Sequence, residues 1–196
     1  MKLLADIPRG TELLVHICCA PDASYGVPAL GERFRVTGYF YNPNIHPGEE
    51  FRKRVRATLD LLEWSPFPLV VGNGGEAAWE EAVRGLEGEP ERGRRCEACV
   101  RLRLRETARK AAELGMPAFG TVLTVSPKKD AAMVNRVGRE EAERAGVGFL
   151  PADLKKGDGY LSSVRATREM GIYRQRYCGC RYSYPGGGHS SSPSTA

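Results

Sequence analysis

The sequence predicts an α/β fold, a three-layer sandwich around a mostly parallel sheet. Three observations carry that prediction. Short apolar segments rich in β-branched residues alternate with longer amphipathic ones along most of the 196 residues. Hydrophobic residues make up 41% and charged residues 27%, enough apolar side chain for a packed core and too much for a disordered chain. A polar, cysteine-bearing segment follows directly on the first apolar run, where open α/β sheets bind ligands. At this length one domain is expected, spanning 1–184, with the Gly/Ser/Pro-rich 185–196 as a disordered tail.

Glu12–Ile17 opens the pattern as a buried strand, with Leu13, Leu14 and Val15 in a row. Ala23–Arg33 reads as the next helix, although Gly26 and Pro28 are poor helix residues. Phe34–Tyr41 is a second strand, broken by Asn42–Pro43–Asn44. Pro47–Leu62 is helical: Pro47 suits its opening, Glu49 and Glu50 complement the dipole, and Phe51, Val55, Leu59 and Leu62 form its expected core stripe. Arg52, Lys53, Arg54 and Arg56 fall mostly off that stripe. Pro66–Val71 is a third short strand, Ala77–Gly85 a helix, and Glu87–Arg94 a charged, mobile loop. Cys96–Leu114 has the strongest helical signal, with Leu104, Ala108 and Ala111 inward, Gly115 as cap and Pro117 blocking continuation. Ala118–Val125 is a strand ending at Ser126–Pro127–Lys128–Lys129. Asp130–Ala145 is a helix closed by Gly146, Val147–Leu150 a short strand and Ser162–Gly171 the last helix.

Several classes are excluded at this stage. No apolar run approaches the roughly 18–20 residues of a membrane span, and Met1–Asp6 has no apolar stretch of signal-peptide length. A cytoplasmic protein without a membrane partner is expected. The absence of a Gly-x-Gly-x-x-Gly or P-loop motif speaks against a conventional dinucleotide or nucleoside triphosphate site. Lys+Arg is 29 against 24 acidic residues, and 22 of those cations are Arg. Guanidinium suits a polyanionic partner such as nucleic acid, and a compositional bias accounts for it equally well. The Arg101, Arg105 and Arg109 face has the same two readings, phosphate contact or ordinary solvated helix.

The six cysteines fall into three close pairs, Cys18–Cys19, Cys96-x-x-Cys99 and Cys178-x-Cys180. Without an export signal, metal binding or redox chemistry suits such pairs better than disulfides. The doublet and the Cys-x-Cys do not match zinc-finger spacing. An iron–sulfur cluster accepts thiolates from dispersed parts of a chain, so spacing places iron–sulfur ahead of zinc. Cys96 and Cys99, three apart in the first turn of a helix, share one face, and the helix N-terminus favours their thiolates.

With these residues in view, the sequence resembles the QueH family of epoxyqueuosine reductases. The resemblance rests on His16–Ile17–Cys18–Cys19–Ala20–Pro21, Phe40–Tyr41–Asn42–Pro43–Asn44–Ile45, Arg95–Cys96–Glu97–Ala98–Cys99, Arg103–Leu104–Arg105–Glu106–Thr107–Ala108, Thr121–Val122–Leu123–Thr124–Val125–Ser126–Pro127, and the run from Gly171 to Cys180. It implies a HUP-like, Rossmann-related domain carrying a [4Fe–4S] cluster and working without cobalamin. The implied activity is reduction of epoxyqueuosine to queuosine at the wobble position of tRNAs for Tyr, His, Asp and Asn, with a low-potential electron donor. Many members continue the first motif as Cys-Cys-Ala-Pro-Cys, whereas this chain, like some members, has Asp22 there.

On that resemblance, Cys18, Cys19, Cys96 and Cys99 are expected to hold the cluster. Cys178 and Cys180 are then a redox pair or, with Asp22, ligands of an additional iron that polarises the epoxide oxygen. Asp22 has a second candidate role as proton donor. Tyr41, Asn42 and Asn44 are substrate candidates at a strand end, although Asn-Pro-Asn is also ordinary turn chemistry. Thr121, Ser126 and Lys128 would hold ribose or phosphate, or cap the next helix, the cap being favoured for Ser126. Arg174 and Gln175, beside the last cysteine pair, would read the modified base or lie on solvated surface. His16 reads as a packed residue rather than a ligand. Two other functions stay open: a zinc-stabilised RNA-binding module without redox activity, and an iron–sulfur tRNA sulfurtransferase. The sulfurtransferase needs a Ser-Gly-Gly-x-Asp-Ser loop, and Cys18–Asp22 occupies its place.

Overall fold

Five short strands, β1 (Glu12–His16), β2 (Arg35–Phe40), β3 (Leu69–Val71), β4 (Ala118–Thr121) and β5 (Gly148–Phe149), form one sheet in the order β3-β2-β1-β4-β5. Every neighbouring pair is parallel. These features come from a computed structural model that describes residues 7–73 and 75–184. The expected tail at 185–196 and the opening Met1–Asp6 lie outside the described residues. β1 is central, and Leu13, Leu14 and Val15 are fully buried, which is why it reads as a continuous apolar run rather than an alternating one.

Among the described residues six helices flank the sheet: α1 (Ala20–Gly31), α2 (Gly48–Trp64), α3 (Glu76–Val83), α4 (Arg94–Glu113), α5 (Ala131–Ala145) and α6 (Gly159–Glu169). α1 packs with α2 and α6, and α4 packs with α3 and α5, giving the outer layers of a Rossmann-like sandwich. From β1 the chain runs outward to β2 on one side, while β4 enters on the other. The crevice at the carboxyl ends of β1 and β4 is therefore a topological switch point. Asp130 caps α5, its Oδ1 accepting from the Ala132 N–H at 2.8 Å, and Gly146 closes that helix at φ 69°.

The elements differ from the sequence expectation in informative ways. α1 begins at Ala20, with the extended Cys19 as its N-cap and Pro21 in its first turn. The cysteine doublet therefore abuts a helix N-terminus rather than a loop. Gly26 inside α1 admits Val122, whose Cγ1 would lie 2.6 Å from an added Cβ. After Thr121 the chain leaves the sheet as a 3₁₀ turn, Leu123–Val125. The Thr121 hydroxyl draws the chain round by accepting from the Leu123 N–H at 3.1 Å. The segment after Glu87 is tied down by buried Arg95, whose guanidinium donates to the carbonyls of Leu86, Glu87 and Glu89.

The largest difference is the rotation of α2. Its buried face is Glu50, Arg54, Ala57, Thr58 and Leu61, while Leu59 is 44% exposed. Two charged residues point inward because they pair with each other and with the C-terminal segment. On the opposite layer α5 lies against β5 so closely that Gly138 has the Phe149 ring where a Cβ would be. Gly138→Ala is expected to destabilise the protein by about 1–3 kcal/mol through overpacking, read as a lower urea midpoint at unchanged m-value.

Candidate metal and substrate site

The first group of functional side chains sits where β1 runs into α1. Cys19 is the extended N-cap of α1 and Cys18 precedes it, and Asp22 in the first turn of the helix comes back against both thiols. Their ligand atoms lie within 4.8 Å of one another, close enough to share a single ion, and all three are buried. Cys18 Sγ donates to Asp22 Oδ2 at 3.1 Å and lies 3.8 Å from Cys19 Sγ. Contact with Cys19, then burial and the nearby Asp22 charge, hold the Cys18 thiol well above its ordinary range. Burial lifts the Asp22 carboxyl to about 6, against the two thiols and the positive Arg174 and Lys129. The Cys18 thiol and the Asp22 carboxyl are costly to ionise in the bare pocket, and with the adjacent Cys19 sulfur they form a donor set that a cation would stabilise.

The second group brings together segments distant in sequence. Cys96 and Cys99, in the first turns of α4, line a small void together with Cys178 and Cys180 from the C-terminal segment. Trp79, Arg95, Arg103 and Lys129 complete its wall. The Cys178 thiol is held well below its ordinary range, first by a hydrogen bond from Cys180 and then, against burial, by Lys129 and Arg103. Lys129 Nζ donates to Cys178 Sγ at 3.3 Å. Gly179 permits the turn between these two cysteines: its φ is +117°, and an added Cβ would stand 3.0 Å from Arg54 Nη1.

Arg103 lies between the two groups. It is 3% exposed, donates to Cys99 O at 3.4 Å and Asn42 Oδ1 at 3.3 Å, and forms no ion pair with a carboxylate among the described residues. Burial works against its charge, and Cys99, Cys178, Cys18 and Cys96 are the groups that offset it. A buried guanidinium surrounded by thiols calls for thiolates, or for an anionic metal–thiolate group, as its counter-charge.

Above Arg103 opens a cavity of about 280 Å³ at the carboxyl ends of β1, β2 and β4. Cys18, Cys19, Asp22 and Cys178 all reach it, so both cysteine groups face one space. Six buried side-chain polar atoms lack a hydrogen-bond partner among the described residues: Asn44 Oδ1, Trp79 Nε1, Arg95 Nε, Arg103 Nη2, Glu141 Oε2 and Gln175 Oε1. All but Glu141 belong to residues lining this cavity or the four-cysteine void. Orphaned polar atoms are costly, and their concentration at one place marks a binding site.

The sequence-based candidates divide accordingly. Asn42, Asn44, Ser126, Lys128, Arg174 and Gln175 line the cavity. Asn42 is committed to the fold, donating to Ile17 O at 2.8 Å, whereas Asn44 and Gln175 offer free acceptors. Arg174 holds Ser163 O and Thr167 Oγ1 at 3.1 and 2.8 Å and lies over the Tyr160 ring at the rim. Ser126 does not cap α5; its hydroxyl accepts from the Lys128 N–H at 3.3 Å, and Asp130 is the cap. Tyr41 and Thr121 lie outside the cavity. Tyr41 stacks on Tyr39 and faces a separate cleft beside Glu106 and Arg109. Thr121 hydrogen-bonds His16 Nδ1 at 3.1 Å, and His16 is packed and neutral, pushed down to about 3 by burial and then by Arg103. The Arg101 and Arg109 guanidinium groups are already paired, with Glu97, Glu140 and Glu141, and with Glu106.

Sequence reasoning missed Arg54. It is 2% exposed, pairs with Glu50 at 2.7 Å, and donates to the Tyr177 and Cys178 carbonyls at 3.0 Å. Tyr173 donates to the other Glu50 oxygen at 2.8 Å, so this pair pins the Cys178–Cys180 segment to α2. The signal available was the Glu50–Arg54 spacing of four. Arg54→Leu, which strands Glu50, is expected to cost about 3–5 kcal/mol of unfolding free energy, measured in urea on metal-free protein.

A family model described as Epoxyqueuosine reductase QueH matches residues 13–185. A protein named Epoxyqueuosine reductase QueH from Streptococcus pyogenes serotype M1 is 40% identical over 179 residues, covering 87% of this chain and 69% of its own length. Relatives of the same name from Thermotoga maritima and Staphylococcus epidermidis are 37% and 36% identical, covering 87% and 93% of this chain and 89% and 81% of their own.

Proposed function

The chain belongs to the epoxyqueuosine reductase QueH family, and on that premise we propose that it reduces epoxyqueuosine to queuosine in tRNA, within the cavity above Arg103. The observation that supports this site most directly is the gathering of orphaned polar atoms and two cysteine groups around one space. The overall reaction converts an epoxide to an alkene and water, consuming two electrons and two protons. The substrates are tRNAs for Tyr, His, Asp and Asn, the electrons come from a low-potential donor, and the reaction is placed in the cytoplasm without cobalamin. Among the described residues no helix is long and apolar enough to cross a membrane.

The donor sets fit the metal centres such a reaction needs. Cys96, Cys99, Cys178 and Cys180 are four thiols with buried cations and unpartnered N–H groups around them, suited to a [4Fe–4S] cluster. Cys18, Cys19 and Asp22 are a compact mixed set suited to a single iron ion. The cluster would supply electrons singly, and the lone ion would act as a Lewis acid toward the epoxide oxygen. Asn44 Oδ1 and Gln175 Oε1 accept hydrogen bonds from the nucleoside, and the free Arg103 N–H donates to its oxygen. Exposed Lys128 and Arg176 at the mouth meet backbone phosphates. A colourless zinc module and an ATP-dependent sulfurtransferase are both disfavoured by the family's name for a reduction.

An anaerobic assay tests the reading. The protein is reconstituted with iron and sulfide, supplied with dithionite and tRNA containing epoxyqueuosine, and the digested tRNA is examined by mass spectrometry. A nucleoside lighter by one oxygen, lost when iron is removed, is expected. Unchanged nucleoside from fully cluster-loaded protein overturns the reading.

A further inference from the structure

Each sulfur of the four-cysteine group has a polar hydrogen close to it. Cys96 Sγ accepts from the Arg92 N–H at 3.2 Å, and Cys178 Sγ from Lys129 Nζ at 3.3 Å. The Ser183 hydroxyl lies 3.4 Å from Cys180 Sγ. The Trp79 indole N–H, otherwise unpartnered, stands beside Cys99. Among the described residues no N–H donates to the Cys18 or Cys19 sulfur, whose neighbour is the Asp22 carboxyl. Hydrogen bonds to sulfur favour the more negative state of a metal–thiolate group. The two cysteine groups are therefore suited to different work, one to take up an electron and the other to hold an ion.

Arg95, Arg103 and Lys129 line the four-cysteine void, and no carboxylate does. Arg95 gives its guanidinium to the carbonyls of Leu86, Glu87 and Glu89, and Arg103 gives its own to Cys99 O and Asn42 Oδ1. Among the described residues Lys129 is the cation that donates to a sulfur, and it makes no ion pair. Exposed Glu91 and Asp130 line the surface beside it and Asp22 reaches the substrate cavity, none within ion-pair distance of its Nζ. The nearest counter-charge to this ammonium is thus Cys178. The main chain of Lys129 holds its turn independently of the side chain. Its N–H donates to Ser126 O at 3.1 Å, and its carbonyl accepts from Lys155 Nζ at 3.4 Å.

We propose that Lys129 is a positioning residue that sets the reduction potential of the cluster, raising it through its charge and hydrogen bond at Cys178; the proposal rests on the cluster allocation in the reading above. Uptake of one electron from an outside reductant adds one negative charge to the cluster and its thiolates, with no bond made or broken. An ammonium in contact with one of those sulfurs stabilises the reduced form more than the oxidised form. Its partial burial keeps salt and water from screening the effect. Lys129 thereby makes the cluster easier to reduce by a given donor.

The test is a redox titration without tRNA. Protein reconstituted with iron and sulfide is reduced stepwise with dithionite and mediators, and the reduced cluster is counted by electron paramagnetic resonance. At the wild-type midpoint, Lys129→Met is expected to lower the ratio of reduced to oxidised cluster at least ten-fold, a downward shift of about 59 mV or more for one electron. Lys129→Arg, which keeps the charge, is expected to return most of the shift. Lys156→Met removes the same charge from an exposed position and is expected to leave the midpoint in place. An unchanged midpoint in Lys129→Met at equal iron and sulfide content overturns the proposal. So does a midpoint in Lys129→Arg as low as in Lys129→Met, since packing rather than charge would then set it. Should the methionine variant take up no cluster, Lys129→Gln replaces it: a fall relative to Lys129→Arg supports the proposal, and equality overturns it. Wild-type protein that takes up no sulfide refutes the cluster allocation, and the proposal falls with it. Cluster-loaded protein that leaves epoxyqueuosine tRNA unchanged is instead failure of the reductase reading, which the midpoints do not share.

Discussion

Arg103→Met is expected to lower tRNA turnover by roughly 10²–10³-fold, the usual effect of removing one preorganised donor from the reacting centre. The guanidinium is buried between the two cysteine groups, has a free Nη2 and touches no carboxylate. Methionine keeps most of the volume and removes the charge, the orphan donor and the contact to Asn42. Arg103→Lys restores the charge alone. It is expected to recover only part of the rate, because an ammonium cannot replace the planar fork that meets Asn42 and the Cys99 carbonyl together. Stability should respond in the opposite sense in the two states of the protein. Stripped of metal, the methionine variant is expected to melt higher than wild type, since it no longer buries a cation whose only counter-charges are thiols. Loaded with iron and sulfide, it is expected to melt lower. Single-turnover kinetics and paired melting curves read both effects, and unchanged turnover at equal iron content would show Arg103 to be a packing residue.

What could be read from the sequence follows from how local each signal is. β1 and α4 announce themselves, the first by an unbroken apolar run and the second by Leu104, Ala108 and Ala111 with Gly115 behind them. The buried face of α2 could not be read the same way. Periodicity scores Arg54 and Glu50 as outward, and only their partners in the C-terminal segment, more than a hundred residues away, turn them inward. The cysteines were legible as three pairs, because pairs are local. Sorting the pairs into sites was not, since Cys96 and Cys99 meet Cys178 and Cys180 only after the chain has crossed the sheet. Strand ends show the same limit. Tyr41 and Asn42 are adjacent in sequence, yet Asn42 lines the cavity while Tyr41 stacks on Tyr39 beside a different cleft.

That sorting gives the second large effect, in metal content rather than rate. Cys99→Ala is expected to remove most of the iron together with all inorganic sulfide and the brown absorbance. Cys18→Ala is expected to remove a single iron and leave sulfide and colour unchanged. The argument is geometric and chemical. Cys18, Cys19 and Asp22 place their ligand atoms within 4.8 Å of one another, the spacing of groups that share one ion, and they include a hard oxygen donor. The ligands of a cubane are held further apart by the cluster between them, and Cys96, Cys99, Cys178 and Cys180, drawn from two segments around a void, have no such short mutual grouping. The arrangement expected from the resemblance, with Cys18, Cys19, Cys96 and Cys99 around the cluster, predicts a different table of losses: sulfide would vanish with Cys18→Ala and survive Cys180→Ala. Iron and sulfide assays on these three variants, reconstituted side by side, separate the two arrangements. Turnover cannot, because a reaction that needs both centres stops when either is lost.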